Sequence, residues 1–478
     1  MRTTFKLLLI CLLTTPRISF SQKAEPWDLR RCVEYALQNN ISVRQADLQA
    51  RFSEVTYSQA KAGQFPSLNF NSSPAYRFGR SENPATGVLV DNNFFSLGMQ
   101  LQSQVTIFNW FSVKNSMEAA RLTWQADREQ VSKAQNDIAL NVAVAYLQVL
   151  LAREQVNLTR VQINQTREQL SVTRKKVDAG ALPELSAAEL EAQLARDSSA
   201  WVSAVAGAEQ MLLQMKALLN LNAATPFDIV VPNADVIPVE TLGDLQPDAV
   251  YASAVANLPQ QRINELRLQS ARKNVEAARG MMYPSLSAFA GLGTSYVNER
   301  IPEYGPGAPI LTTSFVNVGG SNYFVQTPSF VKVGERSIPV GRQFRNNFGQ
   351  SIGVGISVPI LNGRSARSGW DRARLQVQQW ELTIAQDNMD LKQDIYRAYH
   401  DAAAALQKFN AAKKIVETSE KAYDFAQKRF ELALLSTFDL LTIQNNLQRA
   451  RIDMLYAQYD YLFKIKLLEF YKGQGIKI

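Results

Sequence analysis

The sequence predicts a mainly α-helical chain with a membrane-spanning β part, built as two similar halves. Two stretches, 112–177 and 365–432, run for about 65 residues without a proline, which corresponds to helices of about 100 Å. Four shorter segments alternate between apolar and polar residues, as strands with one buried face do. A corner of the pattern aromatic-Pro-Ser-Leu occurs once in each half and separates a helical stretch from a strand.

The alternating segments have the length of strands that cross a bilayer at a tilt, roughly ten residues. In FSLGMQLQSQVTIF, Phe95 to Phe108, the alternation is nearly complete, with apolar side chains on one face and Ser, Gly, Gln and Thr on the other. A proline cannot continue a helix, so Pro66 and Pro284 mark helix-to-strand corners, and Pro359 marks the corner at the end of the fourth strand. The predicted strands are 67–79, 95–108, 285–296 and 349–361.

The long helices are predicted to pack as coiled coils. In 112–177, small and apolar residues alternate at spacings of three and four, with Thr159, Thr166 and Thr173 on the same seam. Each long helix ends in a short break, AGALPELS (179–186) or LALLSTFD (432–439), before a returning helix. Gly180 suits a left-handed helix cap, and Pro183 suits the start of the next helix.

The pattern divides the chain into a signal peptide, two structural repeats and a linker. In residues 1–21, Arg2 and Lys6 precede a short apolar run and small residues, as in a secretory signal. The first repeat is 22–224 and the second is 249–478, joined by the Pro-, Asp- and Val-rich segment 225–248. Besides the long helices, the predicted helices are 27–63, 184–221, 249–282 and 437–472.

Composition argues against several function classes. Removal of residues 1–21 lowers the formal net charge from +8 to +5, with no dense basic cluster, so nucleic acid is not an expected partner. Cys32 is then the single cysteine; it offers no disulfide framework and is expected to be a small buried hydrophobe. His400 is the only histidine, and the sequence has no Ser-His-Asp set, phosphate loop or metal-ligand spacing. Neither an enzyme nor a cofactor site is expected.

Four strands cannot close a barrel, and strand edges left open in lipid would keep unpaired backbone groups. No segment after the amino-terminal run approaches 18 uninterrupted apolar residues, so a transmembrane helix is not expected. At least two chains must therefore share one barrel. The polar strand faces consist of Gly, Ser, Asn and Gln, which is typical of a water-filled lumen.

The two Pro-Ser-Leu corners, the run VPILNG from Val358 to Gly363 and the paired tips resemble the TolC family of outer-membrane efflux proteins. The resemblance covers about residues 22–475. It implies a homotrimer that forms one twelve-stranded barrel in the bacterial outer membrane, with the helices forming a tunnel across the periplasm. It further implies passive export, in a tripartite efflux pump or type I secretion system, through docking to a periplasmic adaptor and an inner-membrane pump of the RND or ABC type.

The resemblance also implies an entrance gate at the helical tips. Asp439 aligns with the first of the aspartates that line the closed entrance in family members, and Thr442 stands where a second would be. Ser186 occupies the equivalent place in the first half. The residues themselves leave another interpretation open, since Ser436, Thr437 and Asp439 also suit a helix N-cap and first turn.

The tips are also the predicted docking surface for an adaptor, and the alternative is a purely structural turn. Leu435 replaces a basic residue of the family's closed-state lock, and Ala433 replaces the glycine present as Gly180 in the first half. The predicted docking residues are Gly180, Ala181, Leu182, Pro183 and Glu184 in the first tip, and Ala433, Leu434, Leu435 and Ser436 in the second.

The loop 297–348 is far longer than the loop 80–94, and it contains β patterns such as NYFVQ and SFVKV. A loop of this length is usually functional or forms a hairpin of its own, so it is predicted to be a lid over the barrel mouth. Two rival functions stay open at this point: a periplasmic adaptor or scaffold without a pore, and a barrel-anchored structural or adhesion protein.

Overall fold

The computed structural model describes residues 26–82, 87, 89–91, 93–231, 242–298, 300–432 and 434–473. The predicted signal peptide, the middle of the predicted linker and Ala433 lie outside the described residues. The predicted fold class is confirmed in that the chain is mainly helical and contains one four-stranded sheet.

Two compact units divide the chain. The first consists of Met1–Glu54, Leu122–Leu268 and Gln379–Ile478, and the second consists of Val55–Arg121 and Gln269–Gln378. Each unit therefore takes residues from both predicted repeats. The first unit is helical, whereas the second contains the sheet and the helix ends next to it.

Two helical hairpins dominate the fold. Helices α3 (Ser112–Asp178) and α8 (Ser365–Glu431) contain 67 residues each, about 100 Å at 1.5 Å per residue. Helix α3 continues through residues 179–183, the first tip, into α4; helix α8 continues through residues 432–436, the second tip, into α9. The helices are α1 Leu29–Asn39, α2 Ile41–Ala62, α3 Ser112–Asp178, α4 Glu184–Leu218, α5 Pro247–Asn257, α6 Pro259–Gly280, α7 Val340–Asn346, α8 Ser365–Glu431 and α9 Thr437–Tyr471.

The two segments predicted as single helices, 27–63 and 249–282, are each two helices. Between α1 and α2, Asn40 takes an extended backbone; its Oδ1 accepts from the Ser42 amide at 2.8 Å, and its Nδ2 donates to the Leu218 carbonyl. Between α5 and α6, Leu258 is extended because it precedes Pro259, whose ring disfavours helical geometry at the preceding residue. The structure thus corrects both helix predictions.

The helical unit has two main apolar clusters. In the larger one, α1 packs against α3 through Cys32, Ala36, Val142 and Val149, all fully buried. Burial raises the pKa of the Cys32 thiol to about 12. The smaller cluster joins α5, α8 and α9 and consists of Leu245, Val250, Ala254, Ile395, Ala398, Ala402, Ile465 and Leu468.

The sheet of the second unit is antiparallel, with the strand order β1-β4-β5-β10. Strands β1 and β10 are the edge strands. Strand β4 pairs with β5, and Gln100 is the register partner of Gly293. Strand β10 ends at Ser357, four residues before the predicted end, where Pro359 has no N–H to donate to a ladder. The four strands are β1 Ser67–Arg77, β4 Phe94–Phe108, β5 Ser285–Val297 and β10 Gly349–Ser357.

The segments that connect these strands form hairpins. The short loop contains the pair β2 and β3, and the long one contains β6 paired with β9 and β7 paired with β8. Helix α7 then leads back to β10. The connecting strands are β2 Arg80–Glu82, β3 Leu89–Asp91, β6 Arg300–Pro306, β7 Ile310–Val318, β8 Ser321–Thr327 and β9 Phe330–Ser337.

Within the described ranges, no helix combines the length and the apolarity needed to cross a membrane.

Candidate functional site at the hairpin tips

The first tip is fixed by a helix-capping motif and an ion pair. The Ala181 amide donates to the Lys176 carbonyl and the Gly180 amide donates to the Val177 carbonyl, both at 2.8 Å, which is the Schellman arrangement. Gly180 has a φ of +75°, a conformation that a side chain disfavours. The Arg174 guanidinium donates to the Glu184 carboxylate and so ties α3 to the start of α4.

The second tip is built in a similar way, with a different cap. The Leu434 amide donates to the Arg429 carbonyl at 2.8 Å, the bond equivalent to that of Ala181. Ser436 is the N-cap of α9, and its Oγ accepts from the Asp439 amide at 3.1 Å. The same hydroxyl donates to Asp439 Oδ2 at 2.6 Å. Within one chain, the contacts of Asp439 are therefore those of an acidic residue in the first turn of a capped helix.

The remaining predicted gate residues have ordinary helical contacts. Thr442 Oγ1 donates to the Phe438 carbonyl one turn earlier at 2.9 Å, and Ser186 is buried in the first turn of α4. Among the described residues, no hydrogen bond joins Ser186, Thr442 and Asp439 to one another. The gate assignment stays a prediction.

The predicted docking residues lie at the exposed ends of the two hairpins. Leu182 and Leu435 are partly buried. The exposed residues are Ala181, Pro183, Glu184, Leu434 and Ser436. Ala433 lies outside the described residues. Further exposed apolar side chains surround these residues; they are Leu185, Leu432 and Phe438.

A layer of buried polar side chains behind the tips was not predicted. Asp197 accepts from Thr166 Oγ1 at 2.6 Å and from Gln193 Nε2 at 2.7 Å, and so joins α3 to α4. Gln193 also donates to Asn445 of α9 at 3.2 Å. The signal was present in the sequence, because Thr159, Thr166 and Thr173 recur at heptad spacing on a seam that is otherwise apolar or small.

The polar layer continues toward the first tip. Gln169 Nε2 donates to the Tyr423 hydroxyl at 2.7 Å and joins α3 to α8. Burial raises the pKa of the Tyr423 hydroxyl. Four buried side-chain atoms find no hydrogen-bond partner among the residues that the structure describes; they are Thr173 Oγ1, Gln169 Oε1 and both Oε1 and Nε2 of Gln444.

A cavity of about 350 Å³ lies beside these groups, between α3, α8 and α9. Gln169, Thr173 and Tyr423 line it, and the Lys176 ammonium lies 5.8 Å from the centre of the Phe430 ring at its border. Polar walls allow water to enter, since an unpartnered buried polar group gains from solvation. The contact between the hairpins is therefore less costly to open here than a dry apolar seam.

The predicted corner residues lie at the ends of the strands. Pro66 directly precedes β1, Pro284 directly precedes β5, and Pro359 lies two residues beyond β10. These positions agree with a role in ending or starting backbone pairing.

The two strand-to-helix corners share a feature that was not predicted. Trp110 and Phe111 before α3, and Gly363 and Arg364 before α8, have φ values between +53° and +64°. Such left-handed pairs are rare for residues other than glycine, so this turn is set by the surrounding packing. In each corner an Asn carbonyl accepts from the Ser amide three residues later; the pairs are Asn109 with Ser112 and Asn362 with Ser365.

The titratable side chains in the described part of the chain form no cluster with the composition of a metal site. No group of three or more His, Cys, Asp or Glu side chains there could hold a metal ion.

Comparison with known proteins gives one family. A family model described as outer membrane efflux protein matches residues 32–221 and 331–471.

Two curated proteins and a solved structure illustrate the similarity. Outer membrane efflux protein BepC of Brucella suis biovar 1 (strain 1330) is 22% identical over 430 residues, which cover 89% of this chain and 80% of BepC. Toxin and drug export protein A of Aggregatibacter actinomycetemcomitans is 20% identical over 440 residues, which cover 90% of this chain and 83% of that protein. The crystal structure of the Campylobacter jejuni CmeC outer membrane channel matches with a TM-score of 0.74 at 16% identity, covering 94% of this chain and 86% of CmeC. The structural match shows a shared fold.

Proposed function

The chain belongs to the outer membrane efflux protein family, and on this premise we propose that three copies form a passive exit duct served by a periplasmic adaptor and an inner-membrane pump of the RND or ABC type. The protein is located in the outer membrane, with its helical hairpins extending into the periplasm. In this proposal the pump supplies the energy for export, and the chain supplies only the path.

The open sheet is the observation that carries this proposal. The edge strands β1 and β10 end the order β1-β4-β5-β10, and in lipid their unpaired backbone groups would each cost several kcal/mol. Pairing β10 of one copy with β1 of the next removes every edge once the ring closes. Three copies give twelve strands, enough for a barrel with a wet interior.

The two faces of β10 support the same arrangement. Ile352, Val354 and Ile356 are 89%, 63% and 72% exposed, so this apolar face is uncovered in a single chain. The opposite face carries Gly and Ser, as at Ser351 and Gly353. The apolar face suits contact with lipid, and the small polar face suits a water-filled lumen.

The proposal assigns the tips to two tasks. The exposed apolar residues Leu185, Leu434 and Phe438 provide the docking surface for the adaptor, together with the predicted residues of both tips. Asp439 of each copy contributes one carboxylate to a ring at the periplasmic entrance; its side chain is exposed, and its hydrogen bond to Ser436 uses Oδ2.

The test is planar-bilayer conductance of the detergent-extracted oligomer, with its mass measured by light scattering. We expect a trimeric species that gives small, discrete current steps, because the entrance is closed at the tips. A membrane-inserted trimer without conductance would favour a sealed scaffold or an adhesin. A chain that does not insert would exclude the barrel.

A further inference from the structure

The long connection between β5 and β10 contains an uncharged segment. Between Glu303 and Lys332 no Asp, Glu, Lys, Arg or His occurs, although charged residues make up 20% of the chain. Residues 304–331 are here called the uncharged ribbon. They include β7 and β8, joined by a two-residue turn in which Gly319 and Gly320 have φ values of +60° and +86°. Positive φ at both turn residues is the geometry that matches the twist of a hairpin.

The ribbon leaves large apolar side chains in solvent on both faces. Val316 lies opposite Tyr323 on one face, and Phe315 lies opposite Phe324 on the other, with their ring centres 6.2 Å apart. Exposed fractions along the ribbon range from 42% to 69%. The side chains concerned are Tyr304, Ile310, Leu311, Phe315, Val316, Val318, Tyr323, Phe324, Val325, Phe330 and Val331.

A two-stranded ribbon of this kind cannot bury either face by itself. An isolated hairpin is marginally stable in water, and a contiguous apolar patch of several hundred Å² marks an interaction site. Another surface must therefore cover the ribbon in the assembled protein.

The base of the ribbon is fixed at one half of the sheet. The Gln343 side chain of α7 accepts from the Val297 amide at 3.0 Å and donates to the Val297 carbonyl at 2.8 Å. Asn347 donates to the Ser295 carbonyl at 2.8 Å, and Thr294 donates to the Phe344 carbonyl at 2.8 Å. The segment that carries the ribbon thus leaves β5 and returns to β10, the edge strand at which the next copy pairs in the proposed trimer.

The distribution of charge favours a second copy of this chain as the surface that covers the ribbon. Charges reappear on both strands just beyond the ribbon, where Lys332 pairs with Glu335 at 2.7 Å and Arg336 pairs with Glu303 at 3.5 Å. Identical charges placed around a symmetry axis repel one another, whereas an uncharged apolar surface can meet its own copies without this penalty.

We propose that the uncharged ribbons of the three copies pack against one another, through the face of Val316, Val318, Tyr323 and Val325, and form an apolar cap at the outer end of the barrel. This inference rests on the trimer proposed above. The predicted lid over the barrel mouth then consists of the three ribbons, held together by contacts between copies.

The test is cysteine crosslinking of the full-length protein in outer-membrane vesicles. Under copper-phenanthroline oxidation, the Tyr323→Cys variant is expected to give a disulfide-linked dimer, since two of three thiols near a three-fold axis can join. The matched control is Asn322→Cys, one residue away on the opposite face, which is expected to link at least fivefold less. Cys32 gives little background, because its thiol is fully buried and its pKa is raised to about 12.

A second pair of variants tests the contact without cysteine. Replacing Val316 and Val325 together by Asp places six charges in the proposed cap, and we expect the oligomer to dissociate at a lower temperature in detergent. Replacing both by Thr keeps their shape and strand preference and should leave that temperature nearly unchanged.

The outcomes separate the two proposals. A trimer in which Tyr323→Cys does not crosslink, or crosslinks no better than Asn322→Cys, overturns the cap and leaves the exit duct standing. A trimer in which an environment-sensitive dye on the Tyr323→Cys variant is quenched by brominated lipid also overturns it, because lipid then covers the ribbon. A monomeric chain overturns both proposals.

Discussion

Replacing Asp197 by alanine should destabilise the first hairpin, because it removes the acceptor of two buried donors. Thr166 is fully buried and donates at 2.6 Å, and Gln193 is 3% exposed and donates at 2.7 Å. A buried donor left without a partner costs about 1–3 kcal/mol, so the two together set a range of about 2–6 kcal/mol. Gln193 keeps its bond to Asn445, which places the expected loss in free energy of unfolding at about 3 kcal/mol.

Asparagine at the same position is the matched control. Its Oδ1 can accept from Gln193, and its amide can donate to the Thr166 hydroxyl, which also accepts. The Asp197→Asn variant should therefore lose less than Asp197→Ala, about 1–2 kcal/mol, because Gln193 keeps its acceptor and the Thr166 oxygen gains a donor in place of the acceptor for its proton. The assay is urea unfolding of the detergent-solubilised protein, followed by helical circular dichroism. Equal losses for the two variants would refute the reasoning, because the hydrogen bonds would then contribute nothing beyond side-chain volume.

Three further predictions concern the tips and the core. Gly180→Ala should cost about 1–2 kcal/mol of unfolding free energy, because alanine disfavours the φ of +75°; an unchanged urea midpoint would contradict this. Asp439→Asn should weaken the block of conductance by divalent cations at least tenfold, and an unchanged block would exclude the carboxylate ring. Burial raises the pKa of Cys32 from 9.0 to about 12, so the folded state keeps a proton that the unfolded state loses. Stability should therefore fall between pH 9 and 12, by up to about 1.4 kcal/mol per pH unit, and Cys32→Ala should show a shallower decline in the same titration.

The hairpins and the strands follow from local patterns. The absence of proline over about 65 residues predicted both long helices within one residue at each end, since 112–177 and 365–432 compare with Ser112–Asp178 and Ser365–Glu431. The corner prolines located the starts of β1 and β5, because a missing N–H and a restricted φ act at the residue itself.

The errors have two sources: contacts between residues distant in the sequence, and one proline whose local effect was overlooked. The break at Asn40 depends on its bond to Leu218, 178 residues away, which no spacing rule reveals. The break before Pro259 was predictable, since a residue that precedes proline avoids helical geometry. In the polar layer the threonine spacing was visible, but the partner Asp197 lies on another helix and depends on how the hairpin closes.

The two interpretations of Asp439 are compatible. A helix-capping acid uses one carboxylate oxygen, and here Oδ2 accepts from the Ser436 hydroxyl at 2.6 Å while the Asp439 amide donates back to that hydroxyl. The side chain is exposed, so its other oxygen can face the entrance in an assembled trimer. The cap would then fix the direction of the carboxylate and lower the entropy lost when a cation binds. Ser436→Ala should accordingly weaken cation block less than Asp439→Asn does, because it frees the carboxylate without removing its charge; a larger effect of Ser436→Ala would mean that the tip turn itself, and not the charge, controls the block.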